Sequence, residues 1–281
     1  MAKKAEVAVQ ESHNNIPDYL RMHSKAKIGN VDVTDLVIPR VKLLQALSPE
    51  LTEFNNAKVG TFWHTIANEN MGSELLAAPI VIKKSYILWS PRGDDRGILA
   101  RAMDGIHWDN PGAEFTVKPR GSANSVTYRL ADTVAESGLD QFGSSVPGDP
   151  QSVPAASLTY NMLWYFPEFP ELSPSVIINT RSSVTPMKQL LSKIDAKPIA
   201  HYGQMYTIGI TQQKGAEGPY FNFTYNSAGF VDQETIKLTE SLYHRFAEAK
   251  WTANEESADV PEGGNGGRER RQPTEADNQK Y

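Results

Sequence analysis

The chain has 281 residues and a net charge of −5, with 40% hydrophobic and 22% charged residues, a composition that can bury a core without disulfide or metal staples. Cysteine is absent, which excludes disulfides, thiolate zinc sites, iron–sulfur clusters and cysteine nucleophiles. A uniformly basic nucleic-acid coat is excluded as well, but a basic groove on an acidic body is not, because local charge placement shapes the field.

Residues 1–30 read as a flexible polar arm with five basic and three acidic residues, and a short helix is predicted over 17–22. The arm lacks the apolar segment of a signal peptide, and no run approaches the ~20 apolar residues that span a bilayer. A cytoplasmic protein without membrane contact is expected. Residues 31–251 hold all five tryptophans and read as one β-rich domain. Trp63 and His64, beside a turn at Gly60, read as structural. The run 75–89 is rich in β-branched and aromatic residues and stops at Ser90-Pro91-Arg92-Gly93, so a strand and a turn are predicted, with 97–103 as the partner strand. A hairpin is predicted from 115–118 and 125–130. Strands at 158–166 and 175–180 flank a Pro167–Pro170 loop, and 204–211 and 220–225 form a further hairpin. About eight short strands with frequent turns predict a mainly β fold, a barrel of oligonucleotide-binding type or a sandwich.

Helices are few. Thr185 reads as an N-cap with Pro186 at the first helical position, followed by Met187, Leu190, Leu191 and Ile194 at helical spacing. A second helix is predicted over 232–250. Residues 252–281 have no aromatic except Tyr281 and carry a Gly-rich stretch at 263–267, so a disordered tail is predicted.

The sequence offers no handle on catalysis. No two of the six histidines stand at a helical i, i+4 or strand i, i+2 spacing. Asp94 with Asp95, and Asp104 with Asp109, could hold Mg²⁺ beside a phosphate, but both groups sit among turn residues and read as solvated loops. A lysine-bearing phosphate loop, a GxSxG elbow and an HExxH pair are all missing. No catalytic residue, metal or cofactor is expected.

Basic residues interleaved with aromatics are the more informative pattern. In Lys83-Lys84-Ser85-Tyr86-Ile87-Leu88-Trp89, strand alternation places Lys84 and Tyr86 on one face and Lys83 and Trp89 on the other. From Lys83 to Arg129 there are eight basic and five acidic residues, a local excess inside an acidic domain. Arg181, Lys188, Lys193 and Lys197 against Asp195 make a second one. Phe221 and Phe223 read as core, whereas Tyr202, Tyr206 and Tyr220 read as candidates for exposed stacking. Cations beside exposed rings suit single-stranded nucleic acid, whose phosphates attract Lys and Arg and whose unpaired bases stack.

The run Ile80 to Gly93 with Gly97-Ile98-Leu99-Ala100 resembles the strand–turn–strand of certain tailed-phage early proteins. So do Gly148-Asp149-Pro150 to Ala156, the Arg181-Ser182-Ser183 strand end, and the short basic helix after it. The resemblance, over roughly residues 36–231, is to single-stranded-DNA-binding proteins of phage replication and recombination. It implies an oligonucleotide-binding-type barrel. One departure is the tail: many such proteins end in a dense acidic run, whereas here the acids at 255–262 are diluted and three arginines follow.

The expected function is therefore non-catalytic binding of single-stranded DNA, with replication or recombination proteins and further copies of the chain as admissible partners. Lys83, Lys84, Arg92, Arg96 and Arg101 are the expected phosphate contacts. Tyr86, Trp89 and Trp108 are the expected stacking residues, and Arg181 and Lys188 extend the groove. The rival reading is a phage-particle structural or assembly protein. A third is a metal-dependent enzyme of phosphate chemistry using Asp94, Asp95 or Asp104.

Overall fold

The structure is a computed structural model and describes residues 38–249 apart from 92, 93, 95, 119–123, 147, 216 and 217. The predicted arm at 1–30, the helix over 17–22 and the tail at 252–281 lie outside the described residues. In chain order the strands are β1 (Val41–Leu43), β2 (Phe62–His64), β3 (Glu69–Gly72), β4 (Leu75–Trp89), β5 (Ile98–Ala102) and β6 (Glu114–Val117). Then come β7 (Val126–Arg129), β8 (Ala156–Tyr165), β9 (Ser175–Thr180), β10 (Gln204–Gly215) and β11 (Gly218–Phe230). The helices are α1 (Glu50–Glu53), α2 (Val134–Ser137), α3 (Val184–Asp195) and α4 (Gln233–Phe246).

The mainly β expectation holds. The spine is β4, whose 15 residues are long enough to take β10 at its start and β5 at its end along one edge, with β8 along the other. The antiparallel order is β11-β10-β4-β8-β9. This path ends at β11 and β9 without a pairing that joins them, so the described strands close no barrel. β1, β2 and β3 form a separate small sheet, and β6 with β7 a hairpin.

Residues directly opposite in an antiparallel pair share a face, so the register assigns every side chain of the large sheet to a front or a back. Leu75, Ala77, Met162, Trp164, Ile177, Ile208, Phe223 and Tyr225 lie on the front and make the main core with the small sheet and with Met187, Leu190 and Ile194 of α3. Further along the same face, Leu88, Ala100 and Ala156 build a second core under the β6–β7 hairpin. On the back, Val81, Leu163, Val176 and Ile178 pack beneath Leu242, Tyr243 and Phe246 of α4. Burial on both faces is why the start of β4 reads as a nearly continuous apolar run.

The small sheet is anchored by β2, where Phe62, Trp63 and His64 are all buried, as expected of the latter two. His64 sits against β9 through Nε2 to Ser175 Oγ at 3.2 Å, while Nδ1 accepts from the Ala67 amide at 3.0 Å. Burial holds its pKa below the ordinary value, with a weaker opposing effect from the Leu172 backbone.

The start of α3 differs from the sequence expectation. A 3-10 turn over Arg181–Ser183 leads straight into Val184, so Thr185 is inside the helix and Pro186 is at its third position. Thr180 and Ser183 form the capping pair one turn earlier. Proline fits because amides of the first turn have no intrahelical acceptor. For α4, Asp232 is the N-cap and accepts from the Glu234 and Thr235 amides at 2.9 and 2.7 Å.

Candidate nucleic-acid interface

Between the two front cores, one strip of the sheet keeps access to solvent, with Tyr160 packed on the main core and Tyr86 on the second. Lys84 is exposed there, and Tyr86, Leu158 and Tyr160 are half-buried. Register places Lys84 opposite Tyr160 and Tyr86 opposite Leu158. The Lys84 ammonium lies 5.0 Å from the Tyr86 ring centroid, within the range of a cation–π contact. On the other side stands Gly105, in the left-handed region at φ 73°. A Cβ there would come within 3.0 Å of the Lys84 carbonyl and 3.3 Å of its Cγ. The stem of Lys84 is thus held between Gly105 and Tyr86, with its charge in water.

The other predicted contacts do not join this strip. Lys83 points to the back, where its amine donates to the Ala249 carbonyl. Burial pushes its pKa down, against a smaller upward pull from Glu248. Lys83 and Lys84 therefore cannot follow one phosphate track. Arg101 lies opposite Ile87 and so faces the back as well. Trp89 is half-buried at an irregularity in the β4–β5 register. Arg96 is clamped on Asp94 at 2.5 Å and donates to the Thr116 carbonyl at 2.7 Å. Its hydrogen bond holds the Asp94 carboxyl below the usual carboxylate range. Arg92 lies outside the described residues.

The stacking candidates need larger corrections. Trp108 is 4% exposed, inside the second core, with Nε1 directed at Ser137 Oγ at 3.3 Å. A ring in that position has no face to offer a base. Tyr206 is fully buried, and its hydroxyl donates to Gln204 Oε1 at 2.6 Å. Tyr202 is half-buried against Tyr243, and Tyr220 is half-buried with its hydroxyl on Gln213. Phe223 is core and Phe221 packs against it, as expected.

Two further predicted cations are exposed, one after β9 and one on α3. Arg181 is exposed just past the end of β9, where Thr180 Oγ1 donates to the Leu158 carbonyl at 3.4 Å. Lys188 is exposed on α3. The aspartates are otherwise engaged. Asp104 meets His107 Nδ1 at 2.7 Å, and Asp109 accepts from the Arg101 amide at 3.0 Å. Burial acts to raise the Asp104 carboxyl, but hydrogen bonds from His107 and Ile106 outweigh it and leave it low. Among the described residues no three His, Asp or Glu side chains are grouped to hold a metal ion.

Residues 8–252 match the family described as Pam3 phage gp34-like protein. The chain belongs to this family. Comparison with curated proteins and with solved structures finds no further match. Membership makes the gp34-like protein a phage-associated protein, in agreement with the phage part of the resemblance. No described helix of this gp34-like protein is long and apolar enough to cross a membrane. Its strip also contains residues that sequence reasoning passed over. Tyr160 and Leu158 are front residues only by register with β4, and nothing local in their strand signals which partner they meet.

Proposed function

We propose that this gp34-like protein binds single-stranded DNA without catalysis, in phage replication or recombination, and that the strand lies on the front strip of β4. The observation that carries the reading is the pair Lys84 and Tyr86: an exposed lysine beside a half-buried ring, at the margin between the two front cores. The ammonium supplies a phosphate contact with counterion release. The rings of Tyr86 and Tyr160 supply π faces to unpaired bases without reading sequence. Family membership supports the phage setting.

Binding is best read from the fluorescence anisotropy of a labelled oligo-dT. Intrinsic tryptophan quenching is a weaker probe than five tryptophans suggest, because Trp63, Trp108 and Trp164 are buried. Saturable binding at low salt, weakened by Lys84→Ala and by Tyr86→Ala in proteins with normal circular dichroism, is the expected result. No binding at low salt overturns the reading. Concentration-dependent assembly in sedimentation would then favour a particle protein.

A further inference from the structure

We infer that the bound strand leaves the β4 strip past Arg181 and follows α3 to a second subsite made by Lys197 and Phe230, an inference that rests on the function proposed above. The first observation is the course of α3. At its start Asn222 donates to the Ser182 carbonyl at 3.1 Å. Further on, Lys193 donates to the Tyr225 carbonyl at 2.7 Å, and just past its end Lys197 donates to Ser227 Oγ at 3.0 Å. The helix therefore runs alongside β11 in the same direction. It begins just past the end of β9, close to β8, and finishes beside the end of β11 that carries Phe230.

The second observation is what stands at that far end. Phe230 is 66% exposed, and the Lys197 ammonium lies 5.6 Å from its ring centroid. The same ammonium lies 5.0 Å from the buried Tyr206 ring, which fixes its position. Lysine has three N–H donors, and Ser227 occupies one of those of Lys197. Among the described residues Lys188, Lys193 and Lys197 have no carboxylate within ion-pair distance. Their charge is left for an external anion. Here the ring is exposed and the lysine half-buried, the reverse of Tyr86 and Lys84, but both pair a lysine with a ring that reaches solvent.

The spacing suits one strand that spans both ends. From Arg181 to Lys197 the helical path is about 24 Å at 1.5 Å per residue. That length corresponds to roughly seven nucleotides at a stacked rise of about 3.4 Å, and to fewer in an extended strand. A three-nucleotide strand is then too short to reach both ends even when extended, while a strand of 25 nucleotides reaches both.

The test is to measure the affinity of the full-length protein for labelled dT3 and dT25, as wild type and as Phe230→Ala and Lys197→Gln. Both positions are on the surface side of the fold, and a thermal melt checks that each variant is folded. For dT25 the expected loss on Phe230→Ala is about 5- to 150-fold, the range of a stacked base. For dT3 the expected loss is no more than about twofold, since the β4 strip is intact and binds alone. Equal affinity of wild type and both variants for dT25 overturns the second subsite and leaves the proposed function standing. An equal large loss at both lengths overturns the two-ended path. Failure of the wild type to bind either oligonucleotide removes the proposed function and this inference together.

Discussion

Burial separates residues that alternation alone treats alike. Tyr86 and Trp108 are both aromatics among basic residues, yet one borders an open strip and the other lies inside the second core. Trp108→Ala is expected to cost ~3–5 kcal/mol of stability, the range for a buried aromatic truncation. Tyr86→Ala is expected to lose ~1–3 kcal/mol of oligo-dT binding, with a smaller loss of stability because its ring is half exposed. Denaturant unfolding and anisotropy on the same two variants check both halves. That Lys84 and Tyr86 share one side of β4 was legible from alternation; which side reaches solvent was not. The burial of Trp108 was not, because its neighbours Gly105, Asp109 and Asn110 are turn residues and the hairpin that covers it comes later in the chain. His64 gives a pH-dependent expectation. Its folded pKa is depressed, so between that value and the unfolded 6.5 the unfolded chain holds more protons. Its contribution is complete above about pH 6.5–7 and is lost as pH falls through the folded pKa. Protonation also sets an N–H on Nδ1 against the Ala67 amide that donates to it. Stability should fall from pH 7 to pH 5 more steeply in the wild type than in His64→Asn, as measured by urea midpoints. Parallel curves would show that His64 does not titrate on unfolding.

Elements with a run long enough to show a pattern were readable. β4, β8 and β9, the β4–β5 turn and both later hairpins fall where apolar runs and Gly or Pro punctuation put them. The small sheet was not readable, because β1 and β2 have three residues each and β3 has four. No alternation can be seen over such lengths, and it is the shared core with β9 and α3 that makes them strands. One contact ties this sheet's neighbourhood to the main one. The Gln45 side chain donates through Nε2 to the Phe221 carbonyl at 2.9 Å and accepts from the Phe221 amide through Oε1 at 2.8 Å. It imitates a neighbouring strand at the outer edge of β11, where backbone groups have no partner strand among the described residues. Such an edge invites pairing with another chain unless it is blocked. Gln45→Ala removes both bonds and is expected to cost roughly 1–3 kcal/mol, at about 0.5–1.5 per bond. Hydrogen exchange of the Phe221 amide should accelerate, while amides in β8 remain protected. An unchanged Phe221 rate would mean that the clamp does not hold the edge in solution.

At the scale of the molecule, the two faces of the sheet divide the charge in a way the sequence could not specify. A strand list gives eight or more β segments but not their order, and a closed barrel and an open sheet share that list. Here the path opens between β11 and β9, α4 occupies the back, and the cations sort accordingly. Lys83 and Arg101 belong to the back, and Arg96 is neutralised by Asp94. Lys84, Arg181, Lys188, Lys193 and Lys197 lie on the strip and along α3. For single strands the slope of log affinity against log salt is about −0.7 per neutralised phosphate, so five contacts predict a slope near −3.5 for a long oligo-dT. Contact confined to Lys84 and Arg181 predicts about −1.4 instead. Lys188→Ala should reduce the magnitude of the slope by about 0.7, whereas Arg96→Ala, whose charge is already spent on Asp94, should leave it unchanged. A KCl titration of the wild type and these two variants distinguishes the cases. A slope near zero would remove electrostatic contact altogether, and an Arg96 effect as large as that of Lys188 would place the strand at the β4–β5 turn instead of along α3.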